Sequence, residues 1–130
     1  DPDDFVFHSD YDTLKYESTG EFTLNVDLSN YYLYQPPDLF PEVYWNYKVG
    51  SLSHNLGYIP YFACYGLNFT SAGEAIQLPY AFGDIVTSLQ LNSYADDTNL
   101  YFMAHFTSGT NSGTETFDFS YRIFKNDLGL

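Results

Sequence analysis

Three histidines, one cysteine and seventeen acidic side chains are the groups with which this 130-residue chain could do chemistry. Nucleophilic catalysis needs a Ser or Cys beside a His and an acid, and His8, His54 and His105 stand at no known spacing to such partners. His105 alternates with Leu100, Phe102, Ala104 and Phe106, so it belongs on the opposite, wetter face of a strand. Cys64 lies in the apolar run YFACYG and reads as a small buried hydrophobe rather than a reactive thiol. As the single cysteine, it excludes an intrachain disulfide and every multi-cysteine zinc arrangement. Seventeen acids allow many carboxylate pairs of the kind used in glycoside hydrolysis, but most sit in loops or on polar faces, where solvation is the default. The sequence points to a chain that is not an enzyme.

Hard oxygen ligands give the least weak chemical signal. Asp96, Asp97, Thr98 and Asn99 fall in one hairpin loop, and Asp1, Asp3 and Asp4 cluster at the start. Either group is a candidate Ca²⁺ site. Neither has the 12-residue loop and terminal Glu of an EF-hand, and Asp and Asn are also what turns are made of. No other cofactor is indicated. Asn68-Phe69-Thr70 is a formal N-glycosylation triplet of a kind that occurs often by chance.

The elements that must position these groups are strands. Phe22, Leu24, Val26 and Leu28 alternate with polar residues, as do Val43, Trp45, Tyr47 and Val49, then Ile85, Thr87, Leu89 and Leu91, then Leu100 to Phe106, then Phe117, Phe119, Tyr121 and Ile123. That period of 2 is the mark of a half-buried strand. Weaker strand signals cover Phe5 to His8, Tyr31 to Tyr34 and Ile76 to Tyr80. Tyr58 to Tyr65 is a nearly unbroken apolar run, suited to a strand buried on both faces, with Pro60 at its beginning, a bulge or an edge. Turn residues separate the runs, and no 11-residue window is helical; at most a short turn fits near Asp10 to Leu14. The reading is an all-β, antiparallel β-sandwich of eight or nine short strands, immunoglobulin-like or jelly-roll, forming one domain over residues 1–130. Its last three strands should form a meander, and its core should hold Phe22, Leu24, Trp45, Phe62, Leu89, Phe102 and Phe119.

Composition narrows the partners. Seventeen acids against four bases give a net charge of −13, so a nucleic acid, bound by neutralising its phosphates, is excluded as a partner. An anionic membrane surface is disfavoured for the same reason, and no apolar stretch approaches the ~18 residues of a membrane-spanning helix. The chain starts at Asp1 without Met and reads as a processed or excised product. Aromatics make up 21% of the residues and fall on both faces of several strands. Tyr44 opposes the Trp45 face, Tyr101 the Phe102 face and Phe124 the Ile123 face. A sandwich needs one apolar face per sheet, so these three mark a surface covered by another subunit or offered to a ligand.

The segment SLSHNLGYIPYFACYG, Ser51 to Gly66, resembles a motif of small bacteriophage virion proteins: hydrophobic, Ser or Thr, His, Asn or Gly, Leu, Gly, Tyr, hydrophobic, Pro, then a hydrophobic strand. FVFHSDYDTLKYESTGEF (Phe5 to Phe22), DTNLYFMAHF (Asp97 to Phe106) and FDFSYRIFKNDL (Phe117 to Leu128) are similar to flanking segments of such proteins. The resemblance implies a structural tail, fibre or head-surface module of an extracellular particle, assembled with copies of itself and other virion proteins. Within the motif, Asn55 and Gly57 suit the positive φ of a tight connection, Tyr58 begins the run that feeds the core, and Pro60 stiffens its entry. His54 is placed to hydrogen-bond across the turn and fix its register. A carbohydrate-binding module that recognises host cell-surface glycans through exposed Tyr and Trp, and a subunit of another extracellular filament, stand as alternatives.

Overall fold

Alternation of apolar and polar residues resolves into two antiparallel sheets packed face to face. The structure is a computed structural model that describes residues 16–33, 44–68, 73, 75–83 and 88–124. Its strands are β1 (Tyr16–Asp27), β2 (Tyr32–Leu33), β3 (Tyr44–Ser53), β4 (Phe62–Leu67), β5 (Ile76–Gln77), β6 (Tyr80–Gly83), β7 (Ser88–Ala95), β8 (Asn99–Ser108) and β9 (Thr114–Phe124). The order is β1-β9-β4-β5 in one sheet and β2-β3-β8-β7-β6 in the other. Among the described residues the helical element is a 3₁₀ turn, Leu28–Asn30, started by the Asp27 carboxylate, which accepts from the Ser29 N–H at 3.0 Å. Val43, Ile85, Thr87, Phe5 to His8 and the turn expected near Asp10 to Leu14 lie outside the described residues.

The core forms where the inward faces meet. Leu24, Val26 and Leu28 come from β1 and its following turn, Leu100, Phe102, Ala104 and Phe106 from β8, and Phe117, Phe119 and Ile123 from β9; all are buried. Phe102 lies at the centre, stacked on Phe22 at 4.6 Å and tilted against Phe119 at 5.0 Å. Fully burying one such ring contributes about 3 kcal/mol, so these strands are held chiefly by their alternating apolar positions. Leu24, Phe102 and Phe119 are buried as the sequence predicts, and Phe22, Phe62 and Leu89 are half-buried against them.

Trp45 is not part of this core, because β3 faces the other way. Its register with β8 pairs Asn46 with Phe106, Gly50 with Phe102 and Leu52 with Leu100, which puts Asn46, Gly50 and Leu52 inside and Trp45, Tyr47 and Val49 outside. The reason is space. A Cβ built on Gly50 would stand 2.8 Å from the Phe22 ring and 2.9 Å from Leu24 Cδ1, so β1 and β3 approach too closely there for the bulky face of β3 to turn inward. Asn46 takes the buried place instead, 1% exposed, with no acceptor for its Nδ2.

Three further expectations are corrected. Tyr58 to Tyr65 is not one doubly buried strand: β4 begins at Phe62, and Ile59 and Tyr61 before it are 63% and 55% exposed. Pro60 does precede the strand, and it is buried. Ile76 to Tyr80 is split between β5 and β6, which lie in different sheets, with a cis Leu78-Pro79 bond between them. The last three strands are not a meander, since β7 and β8 pair in the five-stranded sheet while β9 crosses to the other and pairs with β1 and β4.

Candidate functional site

The two stretches singled out separately, the His54 motif and the Asp96 turn, are parts of one unit. Where β3 ends, the chain leaves its sheet and folds over the β7–β8 turn, whose three successive carbonyls receive it. Thr98 O accepts from His54 N (2.8 Å) and Asn55 N (3.1 Å), Asp97 O from Gly57 N (2.9 Å), and Asp96 O from the His54 ring at Nε2 (2.8 Å). His54 Nδ1 in turn accepts from Leu56 N at 3.0 Å. A neutral imidazole has one donor and one acceptor nitrogen, and both are used. Asn55 (φ 57°) and Gly57 (φ 79°) adopt the left-handed backbone that lets these amides converge. The expected cross-turn role of His54 is therefore seen. Tyr58 is half-buried beside the loop and does not enter β4.

The Asp96 carboxylate holds its own turn. One oxygen accepts from Thr98 N (2.9 Å) and Asn99 N (2.6 Å), and the other from the Tyr101 hydroxyl (2.7 Å). The Tyr101 hydroxyl, with the two backbone amides, pulls the carboxyl down to about 2, because each donor favours the charged form. Asp97 accepts from the Thr98 hydroxyl, and Asn99 Oδ1 from the Ser53 hydroxyl. Both Asp96 carboxylate oxygens, Asp97 Oδ1 and Asn99 Oδ1 thus already accept from the protein's own donors. Among the described residues no three His, Cys, Asp or Glu side chains come together as metal ligands. Asp1, Asp3 and Asp4 lie outside the described residues.

The candidate contact aromatics separate. Tyr44 has the register of the inner face and meets Tyr31 edge-on at 4.9 Å. Phe124, half-buried on the outer register of β9, ties its N–H to Tyr61 O at 2.9 Å. Tyr101 alone falls on the outer face of the five-stranded sheet, stacked on Tyr94 across the strands at 4.8 Å.

That face carries a second collection of rings, distinct from those of the core. From the registers, its members are Tyr32 on β2, Trp45, Tyr47, Val49 and Ser51 on β3, Tyr101, Met103, His105 and Thr107 on β8, and Ser88, Gln90, Asn92 and Tyr94 on β7. His105 is the hub of a four-ring group: its ring centroid lies 4.9 Å from that of Trp45, 5.8 Å from Tyr47 and 6.0 Å from Tyr32. The Tyr32 hydroxyl bonds His105 Nε2, and His105 Nδ1 makes a 3.4 Å contact with Gln90 Oε1. An amide oxygen only accepts, so Nδ1 carries the hydrogen and Nε2 receives the phenol's. Burial among the rings lowers the His105 pKa, which keeps the imidazole in this neutral form. The Trp45 indole N–H is buried with no acceptor. Tyr47 and Tyr32 stand 58% and 46% exposed.

Where β6 begins, the same face sinks into a depression of about 290 Å³ lined by Pro79, Ala81, Gln90, Asn92 and Met103, among others. A larger cavity of about 700 Å³ opens between the sheets beside Leu67, Ile76, Leu89, Phe106 and Phe117; Asp118, on its rim, accepts from the Thr23 hydroxyl at 2.8 Å. Cys64 is buried with its thiol pKa raised by desolvation, as its apolar run predicts.

Alternation on β8 makes Tyr101 legible as a surface aromatic, whereas its partner Tyr94 on β7 carries no such signal, and Trp45 and Tyr47 are hidden by the wrong face for β3. The partnership of His54 with Asp96 had no local signal, since 42 residues separate them. No protein-family model matches the chain, and neither a curated protein nor a solved structure was found to be similar to it.

Proposed function

We propose that this chain is a structural module of a bacteriophage particle, in a tail, fibre or head-surface component, and that it works by binding rather than by catalysis. The observation that carries the reading is the outer face of the five-stranded sheet: Tyr32, Trp45, Tyr47 and His105 form one ring group directed away from the core. Rings of this kind supply contact area with little loss of side-chain freedom. The resemblance of Ser51 to Gly66 to the virion motif supports the particle context. The hydrogen-bonded loop fits a structural use of that motif, because both ring nitrogens and the backbone N–H of His54 serve the fold. Copies of the chain and other virion proteins are the partners in this reading.

Antibody raised against the domain and detected by gold labelling on purified phage particles tests it. Label at a tail, fibre or head surface is the expected result. Protein found only in the soluble fraction of the lysate, with no label on particles, overturns the proposal.

A further inference from the structure

The face just described combines three properties. It is aromatic; it is dented; and its outward strand residues are uncharged. None of the described outward residues of β2, β3, β7 and β8 is Asp, Glu, Lys or Arg, in a chain that carries 17 acids and four bases. At the Tyr101 end the Asp96 carboxylate borders this face, engaged by the Tyr101 hydroxyl and two backbone amides, so an anionic ligand finds no counter-charge here and a cationic one only that occupied group. A purely apolar partner fits poorly too, because it would cover the amides of Gln90 and Asn92 and the hydroxyl of Ser51 without replacing their water hydrogen bonds.

From this we infer that the outer face of the five-stranded sheet is a binding surface for an uncharged oligosaccharide, seated on Tyr47 and His105 with its hydroxyls over the depression at Gln90 and Asn92. The inference rests on the reading of the chain as a displayed binding module and names its ligand class. A sugar ring has an apolar C–H face and a rim of hydroxyls, and the sheet offers both complements in adjacent positions. Tyr47, His105 and Gln90 form one row across three strands, so a ring packed on Tyr47 lies beside a primary amide. Gln90 Oε1 is engaged by His105, which leaves the hydrogens of its amide nitrogen for a ligand oxygen. Met103 floors the depression between Gln90 and Asn92. Beyond it, Ser51, Tyr101 and Tyr94 form a second aromatic row. Four residues of strand separate the two rows, about 13 Å at the ordinary rise, a span bridged by an oligosaccharide and not by one sugar ring.

Trp45 is the sole tryptophan and belongs to the ring group, so its fluorescence reports on this face alone. The test applies the full chain to an array of neutral and acidic oligosaccharides and titrates hits by Trp45 fluorescence. Tyr47→Ala and Gln90→Ala, both at exposed positions, are run in parallel with thermal melting. Expected are binding to one or more neutral oligosaccharides, a shift in Trp45 emission, and at least tenfold weaker binding in each variant at unchanged melting temperature. Absence of binding across the array, binding confined to acidic glycans, or binding indifferent to both substitutions overturns the inference. So does self-association in sedimentation that Tyr47→Ala abolishes, since a second copy would then occupy the face. Particle labelling is read independently: labelled particles with a blank array refute only the glycan inference, and glycan binding without label refutes only the phage assignment.

Discussion

His54 shows how a residue type associated with catalysis is spent on structure. Its two ring nitrogens join Leu56, in its own loop, to Asp96, in the turn below. Replacing it with alanine removes both bonds and strands the Leu56 N–H, so His54→Ala should lower stability by about 1–2 kcal/mol, read from the midpoint of urea unfolding. Gly57 contributes through its backbone. A Cβ there would meet nothing within 4 Å, yet φ is +79°, so the cost of a side chain is torsional and greatest for a β-branched one. Gly57→Val should cost about 1–3 kcal/mol, and Gly57→Asn distinctly less, because Asn tolerates the left-handed region. Equal losses for Val and Asn would show that bulk, not torsion, governs the position.

At the scale of elements, the close approach of β1 to β3 decides which aromatics are core and which are surface. Gly50 is the gap into which Phe22 and Leu24 pack. Gly50→Val should therefore push Phe22 off its stack with Phe102 and cost about 1–3 kcal/mol as overpacking. A double variant Gly50→Val/Phe22→Ala should recover part of that loss, measured as non-additivity in denaturant unfolding. The same contact explains what the residues did and did not disclose. In β1, β8 and β9 one face is clearly the more apolar, so alternation alone orients the strand: Leu24, Phe102 and Phe119 face inward. In β3 the apparent polar face ends in Gly50 and Leu52, and the apolar one carries Trp45 and Tyr47. Hydropathy favours burying the rings, but the room left by Phe22 favours glycine, and room prevails. The destination of β9 was equally illegible, because a polar loop at 109–113 serves a hairpin or a crossing between sheets. The outer face was visible only in part for the same reason.

For the molecule as a whole, pH separates two stabilising groups. His105 has its pKa lowered by burial, so below the ordinary histidine value the unfolded chain binds a proton that the folded one resists, and stability falls as pH drops through and below about 6.5. Asp96 is also depressed, to about 2. Its contribution is complete above the ordinary aspartate range and is lost as pH falls from about 4 through 2. Urea midpoints against pH should show a downward step below pH 6.5 that is absent in His105→Asn, and a second near pH 3 that is absent in Asp96→Asn. Comparing each variant with the parent removes the background from the other acids. A His105→Asn profile that keeps the first step would show that His105 is not its source.

The crossing of β9 also sets when the domain can exist. Of the described strands β8 and β9 are made last, and they occupy interior positions in opposite sheets, where they pair with the earliest long ones: Val49 with Met103, and Glu21 with Ser120. During synthesis β1 and β3 emerge with their principal neighbours still unmade, so an early chain has aromatic segments and no sheet to place them in. Closing loops of this length before any pairing is gained makes folding slow and late. Nascent chains stalled before β8 should be digested by protease as readily as unfolded protein, and resistance should arise in a single step once β9 has cleared the ribosome.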